Sequence, residues 1–266
     1  ESALSGLSIW HLALMVVIGL VAVLPMLFYD LILNKELETD YSKSYILETS
    51  WAVNTINNLS GFAGLVDVGL RYSFYSEDGH EKSGVKALSR LLPYFMSGLS
   101  LLSGLGFATF WFFPLSPDLR KYWLLLLGIF LYLPFIFFVS SREKLPYFGQ
   151  VPLKTRLSLI LVSTAEWGTA LVSFLSVAYL MGLHVPLYNL IPLYFLAVII
   201  GIFSMIPGGI GSFDLIVISG LTSMGVSNAL AVSLLLLFRL TYYIIPFLLG
   251  VVFFFKHMGG RINEKY

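Results

Sequence analysis

The chain contains no cysteine and carries very little charge. Its 266 residues include 16 Lys and Arg and 15 Asp and Glu, so charged residues make up only 12% of the sequence. The absence of cysteine excludes disulfides, iron–sulfur clusters and cysteine-ligated zinc. With 58% hydrophobic residues and a mean hydropathy of +0.85, the composition also excludes a water-soluble globule. It indicates an all-α, polytopic helical membrane protein.

Several other signals are missing. The four histidines lie far apart without metal-ligand spacing, so we predict no metal site. No nucleophile and base occur at a recognisable spacing, so we predict no catalytic residue and no cofactor. The chain opens on Glu1-Ser2-Ala3, without a methionine or a basic segment, and we therefore expect it to be a piece of a longer protein.

Long apolar runs recur along the chain. Five are long enough to cross a membrane, namely residues 9–33, 87–113, 119–140, 156–182 and 229–255. Two others, 45–70 and 187–225, are interrupted by glycines in Ser60-Gly61-Phe62-Ala63-Gly64 and Pro207-Gly208-Gly209-Ile210-Gly211. Helix breaks at membrane depth are tolerated only where the backbone faces protein or water, so we predict two glycine-broken hairpins. For 187–225, a re-entrant hairpin and two complete crossings both fit.

The positions of Lys and Arg predict the orientation, because basic loops stay cytoplasmic. If both broken stretches return to the side from which they enter, most basic residues fall on the cytoplasmic side, and Arg120 and Lys121 lie outside. Residue 1 then lies outside, which implies an upstream helix if the native N-terminus is cytoplasmic. We expect a single multi-pass transmembrane domain over residues 1–266.

The two broken stretches share a pattern. Gly-x-x-Gly-x-x-Asp ends at Asp67 in one stretch and at Asp214 in the other, and each stretch lies between two apolar runs. The orientation makes the halves 9–113 and 156–255 inverted copies, joined by the run 119–140. Inverted repeats with broken helices are typical of transporters that alternate access. A chance match between glycine-rich breaks is the alternative.

Ionisable residues inside apolar runs are the main candidates for a functional site. Each costs about 2.5–3.5 kcal/mol on insertion scales, so it is retained only where something requires it. The candidates for a substrate pathway are Asp30, Arg71, Glu166, Asp214 and Arg239. The alternative is that these residues form ion pairs that only hold helices together.

A second rank of candidates surrounds the breaks. Asp67 depends chiefly on the repeat alignment. The loop that contains Pro207, Gly208, Gly209 and Gly211 could present the free N–H groups of its glycines to a lipid phosphate at a helix start. Elsewhere, three asparagines share one helical face and are expected to hydrogen-bond between helices: Asn54, Asn57 and Asn58. Four aromatic residues are expected at the interface or facing lipid: Trp111, Trp123, Tyr242 and Tyr243.

The chain carries several separated motifs: Ile206 to Asp214, Phe238-Arg239-Leu240-Thr241-Tyr242-Tyr243, Tyr29-Asp30-Leu31-Ile32-Leu33, Gly69-Leu70-Arg71 and Glu166-Trp167. Together these motifs resemble the bacterial multiple peptide resistance factor family, which implies a location in the bacterial cytoplasmic (inner) membrane. The family fuses a lysyl-phosphatidylglycerol synthase to a flippase, and this chain is similar to the N-terminal flippase part. Asp67 departs from the small residue expected there in relatives.

The resemblance implies that the chain moves aminoacylated phosphatidylglycerol, such as lysyl-phosphatidylglycerol, from the inner to the outer leaflet, which protects against cationic antimicrobial peptides. It implies anionic and aminoacylated phospholipids and the bilayer as partners, with a synthase domain on the same parent chain and no nucleic acid bound by this part. A full-length parent would be a phosphatidylglycerol lysyltransferase, whose transfer chemistry would lie outside this chain. A homo-oligomer stays open.

Two rival functions remain at this point. An ion-coupled transporter of a small solute would use similar carboxylates. A membrane platform that only positions a synthase domain would need none of them for transport. The absence of a P-loop lysine after the glycine-rich run argues against nucleotide binding.

Overall fold

The protein is helical, as its composition predicts. The computed structural model describes residues 6–60, 65–75, 89–140 and 151–264, and these residues contain no strand. Within them, four apolar helices are long enough to cross a bilayer, and we name them spans I to IV: Ile9–Glu36, Ser89–Phe112, Leu153–Leu180 and Asn228–Met258. The prediction of a polytopic all-α membrane protein is therefore confirmed.

The spans are built from shorter helical segments. In chain order, the helices are α1 (Ile9–Val23), α2 (Leu27–Glu36), α3 (Lys43–Ser60), α4 (Leu65–Tyr75), α5 (Ser97–Phe112), α6 (Pro117–Arg120), α7 (Trp123–Phe130), α8 (Tyr132–Ser140), α9 (Leu153–Leu180), α10 (Leu187–Phe203), α11 (Ser212–Ser223), α12 (Asn228–Phe238) and α13 (Ile245–Glu264). A 3₁₀ turn containing Pro25 joins α1 to α2 within span I, because proline cannot supply the next helical hydrogen bond. A π-helical segment, Arg239–Ile244, joins α12 to α13 within span IV.

The predicted span at 119–140 differs from the other four. Its apolar helix runs over Trp123–Val139 and is interrupted at Leu131, between α7 and α8. At about 1.5 Å per residue, its 17 residues reach about 26 Å, short of a hydrocarbon layer of about 30 Å. By length it is the weakest of the five predicted crossings.

The two broken stretches form helical pairs with one short leg each. The first hairpin consists of α3, with 18 residues, and α4, with 11; its predicted break at 61–64 lies outside the described residues. The second hairpin consists of α10, with 17 residues, and α11, with 12. Short legs of about 17–18 Å cannot cross the hydrocarbon layer. Length thus favours re-entry over two complete crossings for 187–225.

The turn of the second hairpin requires glycine. Gly208, Gly209 and Gly211 have φ of +59°, +61° and +89°, in the left-handed region that side chains disfavour. A Cβ at Gly208 would also lie 3.2 Å from the carbonyl oxygen of Leu59, near the end of α3. The tip of the second hairpin therefore packs directly against the first hairpin.

Close backbone contacts also fix the spans. A Cβ at Gly19 of span I would overlap the backbone of Thr241 in span IV, and one at Gly98 of span II would overlap the backbone of Ser163 in span III. The Gly98 amide donates a hydrogen bond to Ser163 Oγ at 2.8 Å. Small residues allow membrane helices to approach this closely. Span I also packs against span III, α3 against span IV, and α10 against span II.

An ion-pair cluster joins the start of α3 to the end of span IV. Glu48 accepts hydrogen bonds from Lys256 Nζ at 2.6 Å and contacts His257 Nε2 at 2.7 Å. The Lys256 ammonium, followed by His257, lowers the pKa of Glu48, which lies outside the four spans. One turn further along α3, the Trp51 indole N–H donates to the carbonyl oxygen of Pro246 at 3.0 Å.

Candidate functional site

Three of the predicted charged residues form a buried cluster between span I and the first hairpin, which we call the first cluster: Asp30, Asp67 and Arg71. The Arg71 guanidinium donates to both carboxylate oxygens of Asp30, with Nε–Oδ1 at 2.7 Å and Nη2–Oδ2 at 3.0 Å. Its Nη1 forms an ion pair with Asp67, one helical turn earlier on α4. Bidentate, charge-assisted contacts of this kind are among the strongest hydrogen bonds in proteins.

Side chains of α3 complete the first cluster. Ser50 Oγ donates to Asp30 Oδ2 at 2.5 Å, and the Asn54 amide donates to the same oxygen at 3.2 Å while its own oxygen accepts from Arg71 at 3.2 Å. Asp30, Asp67 and Arg71 are 0%, 3% and 2% exposed. The cluster is thus sealed in this conformation and holds α2, α3 and α4 together.

The second cluster, Asp214 and Arg239, lies at the tip of the second hairpin. Asp214 is the third residue of α11. Its Oδ1 accepts a hydrogen bond from Arg239 Nε at 2.9 Å and lies 2.7 Å from Nη2 in the ion pair. Arg239 Nη1 also donates to the carbonyl oxygen of Gly208 at 3.3 Å. The side chains of Arg239 and Asp214 are 16% and 22% exposed, so this pair is open to its surroundings and the first cluster is closed.

The glycine-rich turn presents fewer free N–H groups than its sequence indicates. The Gly211 amide donates to Asp214 Oδ2 at 2.8 Å, which caps the start of α11. The amides of Gly209 and Ile210 donate within the turn, to the carbonyl oxygens of Ile206 and Pro207. The protein's own carboxylate therefore occupies the helix start at which we expected a lipid phosphate, and Arg239 is the exposed cation beside it.

Glu166, the fifth predicted pathway residue, belongs to neither cluster. Its Oε2 accepts a hydrogen bond from the Tyr29 hydroxyl at 2.5 Å, and its side chain is half-buried in the middle of span III. The Phe95 ring stacks on Tyr29 with 4.1 Å between centroids and lies 5.6 Å from the Arg71 guanidinium carbon. Phe95 therefore stands between the Glu166 pair and the first cluster.

Tyrosines lie between Glu166 and the second cluster. Glu166 interacts electrostatically with Tyr194 and Tyr242. Tyr242 packs edge-on against Tyr243 at 4.9 Å, and the Tyr243 ring lies 5.6 Å from the Arg239 guanidinium carbon. Glu166 thus interacts electrostatically with Asp67 and Arg71 of the first cluster and with two tyrosines that lie toward the second cluster.

The prediction for two of the tyrosines was wrong. Tyr242 and Tyr243 were expected at the interface or facing lipid, but Tyr242 is 6% exposed and Tyr243 is half-buried against it. The π-helical segment turns both toward the interior, where Phe238 stacks on Tyr242 at 5.2 Å. Trp111 and Trp123, by contrast, are 73% and 41% exposed, as expected of lipid-facing or interfacial residues.

Sequence reasoning missed two polar contributors. Tyr29 appeared only as part of a motif, and Ser50 was not considered. The spacing of Ser50 and Asn54, four residues apart on α3, places both on the helical face that carries Asn54, Asn57 and Asn58. That polar stripe in an apolar stretch was the available signal. Asn54 does hydrogen-bond between helices, as predicted.

These features define a class: a polytopic helical membrane protein in which two broken hairpins hold buried charges against the spans. The chain matches the family described as lysylphosphatidylglycerol synthase TM region over residues 1–250. It belongs to that family, and the predicted resemblance is confirmed.

Two relatives illustrate the similarity. A phosphatidylglycerol lysyltransferase of Bacillus subtilis is 31% identical over 279 residues, which cover 98% of this chain and 31% of the relative. A phosphatidylglycerol lysyltransferase of Staphylococcus aureus (strain MRSA252) is 33% identical over 233 residues, covering 84% of this chain and 26% of the relative. The chain therefore spans about a third or less of the length of these relatives.

Proposed function

We propose that this chain moves an aminoacylated phosphatidylglycerol, such as lysyl-phosphatidylglycerol, across the bilayer. The observation that carries the proposal is the partly exposed Asp214–Arg239 pair at the tip of a broken hairpin. An aminoacylated phosphatidylglycerol headgroup carries a phosphodiester and an ammonium, which match an arginine and a carboxylate respectively. Hydrocarbon cannot solvate such a headgroup, so these side chains would replace water during the crossing.

The partly exposed charges Arg239, Asp214 and Glu166 each have a role in this mechanism. The Arg239 guanidinium meets the phosphodiester, while Asp214 and Glu166 accept the ammonium. The acyl chains stay in the bilayer and trail past the hairpin. The first cluster, with Asp30, Asp67 and Arg71, is closed in this conformation, so it contributes to the route only after α4 moves away from α2.

We further propose that residues 9–113 and 156–255 are inverted copies that exchange conformations. Asp67 and Asp214 are each the third residue of a short helix, and each forms an ion pair with an arginine. The packing also favours this relationship, because α3 lies against span IV and α10 against span II. One pair is closed while the other is open, as two ends of an alternating cycle would be.

The parent protein supplies the context of this activity. The relatives named phosphatidylglycerol lysyltransferase are about three times as long as the matched segment, so the lipid would be made by a domain outside this chain. The site then lies in the bacterial cytoplasmic membrane and exposes the cationic lipid on the outer leaflet. A more cationic surface would repel cationic antimicrobial peptides.

The test uses protein reconstituted in liposomes that contain lysyl-phosphatidylglycerol labelled on one acyl chain. An impermeant amine reagent measures how fast the headgroup reaches the outer leaflet, for the wild type and for Glu166→Ala and Asp214→Ala. Asp118→Asn is the matched control, since Asp118 forms an exposed ion pair with Lys121 far from either cluster.

We expect lipid movement in Glu166→Ala and Asp214→Ala to be at least tenfold slower than in the wild type. Lipid movement in the control, Asp118→Asn, should equal that of the wild type. Unchanged movement in Glu166→Ala and Asp214→Ala would refute the assigned roles. If the wild type imports a small soluble solute and leaves the lipid in place, the transporter alternative replaces the proposal. Loss of synthase binding without any change in lipid movement would instead favour a platform.

A further inference from the structure

Glu166 differs from the other shielded carboxylates in lacking a basic partner. Asp30, Asp67 and Asp214 each form an ion pair with an arginine, and Glu48 forms one with a lysine. No Lys, Arg or His nitrogen in the described residues lies within the 4.0 Å ion-pair distance of Glu166. Among the described residues, the neutral Tyr29 hydroxyl is the only hydrogen-bond partner of its carboxylate.

Four elements near Glu166 supply groups that interact with it electrostatically. These groups are Tyr29 of α2, Asp67 and Arg71 of α4, Tyr194 of α10, and Tyr242 of the π-helical segment. Arg71 is bound to two carboxylates of its own, so it does not neutralise Glu166 as well. Asp67 is held by Arg71, and the other neighbours are phenols, which can donate hydrogen bonds or face a cation with their rings.

An unpaired carboxylate at membrane depth is stable in only two forms. It is either neutral, with a proton bound, or it holds a cation whose charge balances its own. Glu166 is half-buried, so part of its side chain is accessible in this conformation. Aromatic rings around a carboxylate favour an organic ammonium, since cation–π attraction adds to the ion pair.

We propose that the Glu166 carboxyl binds a proton and the ammonium of a cationic lipid headgroup in alternation. The inference deepens the proposed function and rests on it. When the ammonium arrives, the carboxyl O–H bond breaks, the proton leaves to water, and the carboxylate pairs with the ammonium. Charge is conserved, because one cation replaces another. Proton uptake then displaces the headgroup on the other side, which couples lipid release to the proton gradient.

The linkage is measured with purified full chain in detergent. Short-chain lysyl-phosphatidylglycerol is titrated into weakly buffered protein at about pH 6, where the lysyl ε-ammonium keeps its proton, and a pH-sensitive dye reports released protons. Short-chain phosphatidylglycerol without the lysyl group is the ligand control. Glu166→Gln keeps the hydrogen bond from Tyr29 but cannot titrate, and Asp118→Asn is the matched protein control.

We expect the wild type and Asp118→Asn to release up to one proton per lipid bound, and Glu166→Gln to release none. The apparent Kd of the wild type should change by up to tenfold per pH unit across the range in which Glu166 titrates, whereas that of Glu166→Gln should be flat. Phosphatidylglycerol should release no proton from any variant.

Failures of the two proposals are distinguishable. Lipid binding and movement without proton release from the wild type would overturn this inference and leave the proposed function intact. No binding or movement by the wild type would overturn both. Thermal unfolding of Glu166→Gln checks whether this variant folds. If it is unstable, Tyr29→Phe replaces it, because that variant lacks the hydroxyl that donates to Glu166. A pH dependence of Kd in Tyr29→Phe identical to that of the wild type would also contradict the inference. Proton release driven by sodium chloride alone would assign Glu166 to a metal cation instead.

Discussion

Removing the arginine of the first cluster should destabilise the fold far more than removing that of the second. Arg71→Met leaves the carboxylates of Asp30 and Asp67 facing each other at 0% and 3% exposure, without a cation. Breaking a buried ion pair from one side costs about 3–5 kcal/mol, because the remaining charge stays desolvated. Arg239→Met should cost about 1 kcal/mol, since its pair with Asp214 is partly exposed and water relieves the residual charge.

The assay is reversible unfolding of purified protein in mixed micelles with increasing dodecyl sulfate, followed by tryptophan fluorescence. The neutral triple variant Asp30→Asn/Asp67→Asn/Arg71→Met is the matched control, and we expect it to recover most of the lost free energy of unfolding. Equal losses in Arg71→Met and Arg239→Met would refute the reasoning that burial sets the difference. So would a triple variant no more stable than Arg71→Met alone.

Three further predictions concern the packing and the ion pairs. Gly98→Ala should lower the free energy of unfolding by about 1–3 kcal/mol, because its Cβ overlaps the backbone of span III, whereas Gly128→Ala, with open space around it, should not; thermal unfolding compares the two. Glu48 stabilises the fold above its ordinary pKa of 4.5, and this contribution disappears as the pH falls through its lowered value in the folded state. Because Lys256 is largely exposed, the effect should stay below about 1 kcal/mol, and Glu48→Gln should remove that part of the pH dependence. Trp51→Phe should cost about 0.5–1.5 kcal/mol by removing the indole donor to the Pro246 carbonyl oxygen, and a loss within error in unfolding experiments would contradict the hydrogen bond.

The architecture was largely predictable because the membrane restricts what apolar sequence can do. Long apolar runs have to be helices, and the four longest spans agree with their predicted positions to within a few residues. The glycines of residues 208–211 also predicted the position of a break, since left-handed backbone in an apolar stretch needs glycine. The sequence did not distinguish re-entry of the second hairpin from two complete crossings, because the difference depends on where α11 ends. Gly225, just beyond that end, is equally compatible with a loop between two crossings.

The charged residues were predictable as a set but not in their pairing. Insertion cost marks Asp30, Arg71 and Asp214 as residues that need partners, but partner choice depends on how the helices rotate. Asp67 had only the repeat pattern to recommend it, yet it shares Arg71 with Asp30. The inward position of Tyr242 was missed because tyrosine is common at membrane interfaces and nothing in the sequence marks the segment as π-helical.

The π-helical segment Arg239–Ile244 allows span IV to contact both hairpins along its length. A π-helical segment holds one residue more than an α-helix of the same rise, which rotates everything beyond it by about 100°. At the start of the segment, Arg239 contacts the second hairpin. Beyond its end, Pro246 and Gly250 lie against α3 of the first hairpin. Deleting one residue of the π-helical segment would remove this extra rotation, and only one of the two hairpins could then keep its contacts with span IV. The additional residue therefore allows two different faces of one span to bind the two hairpins.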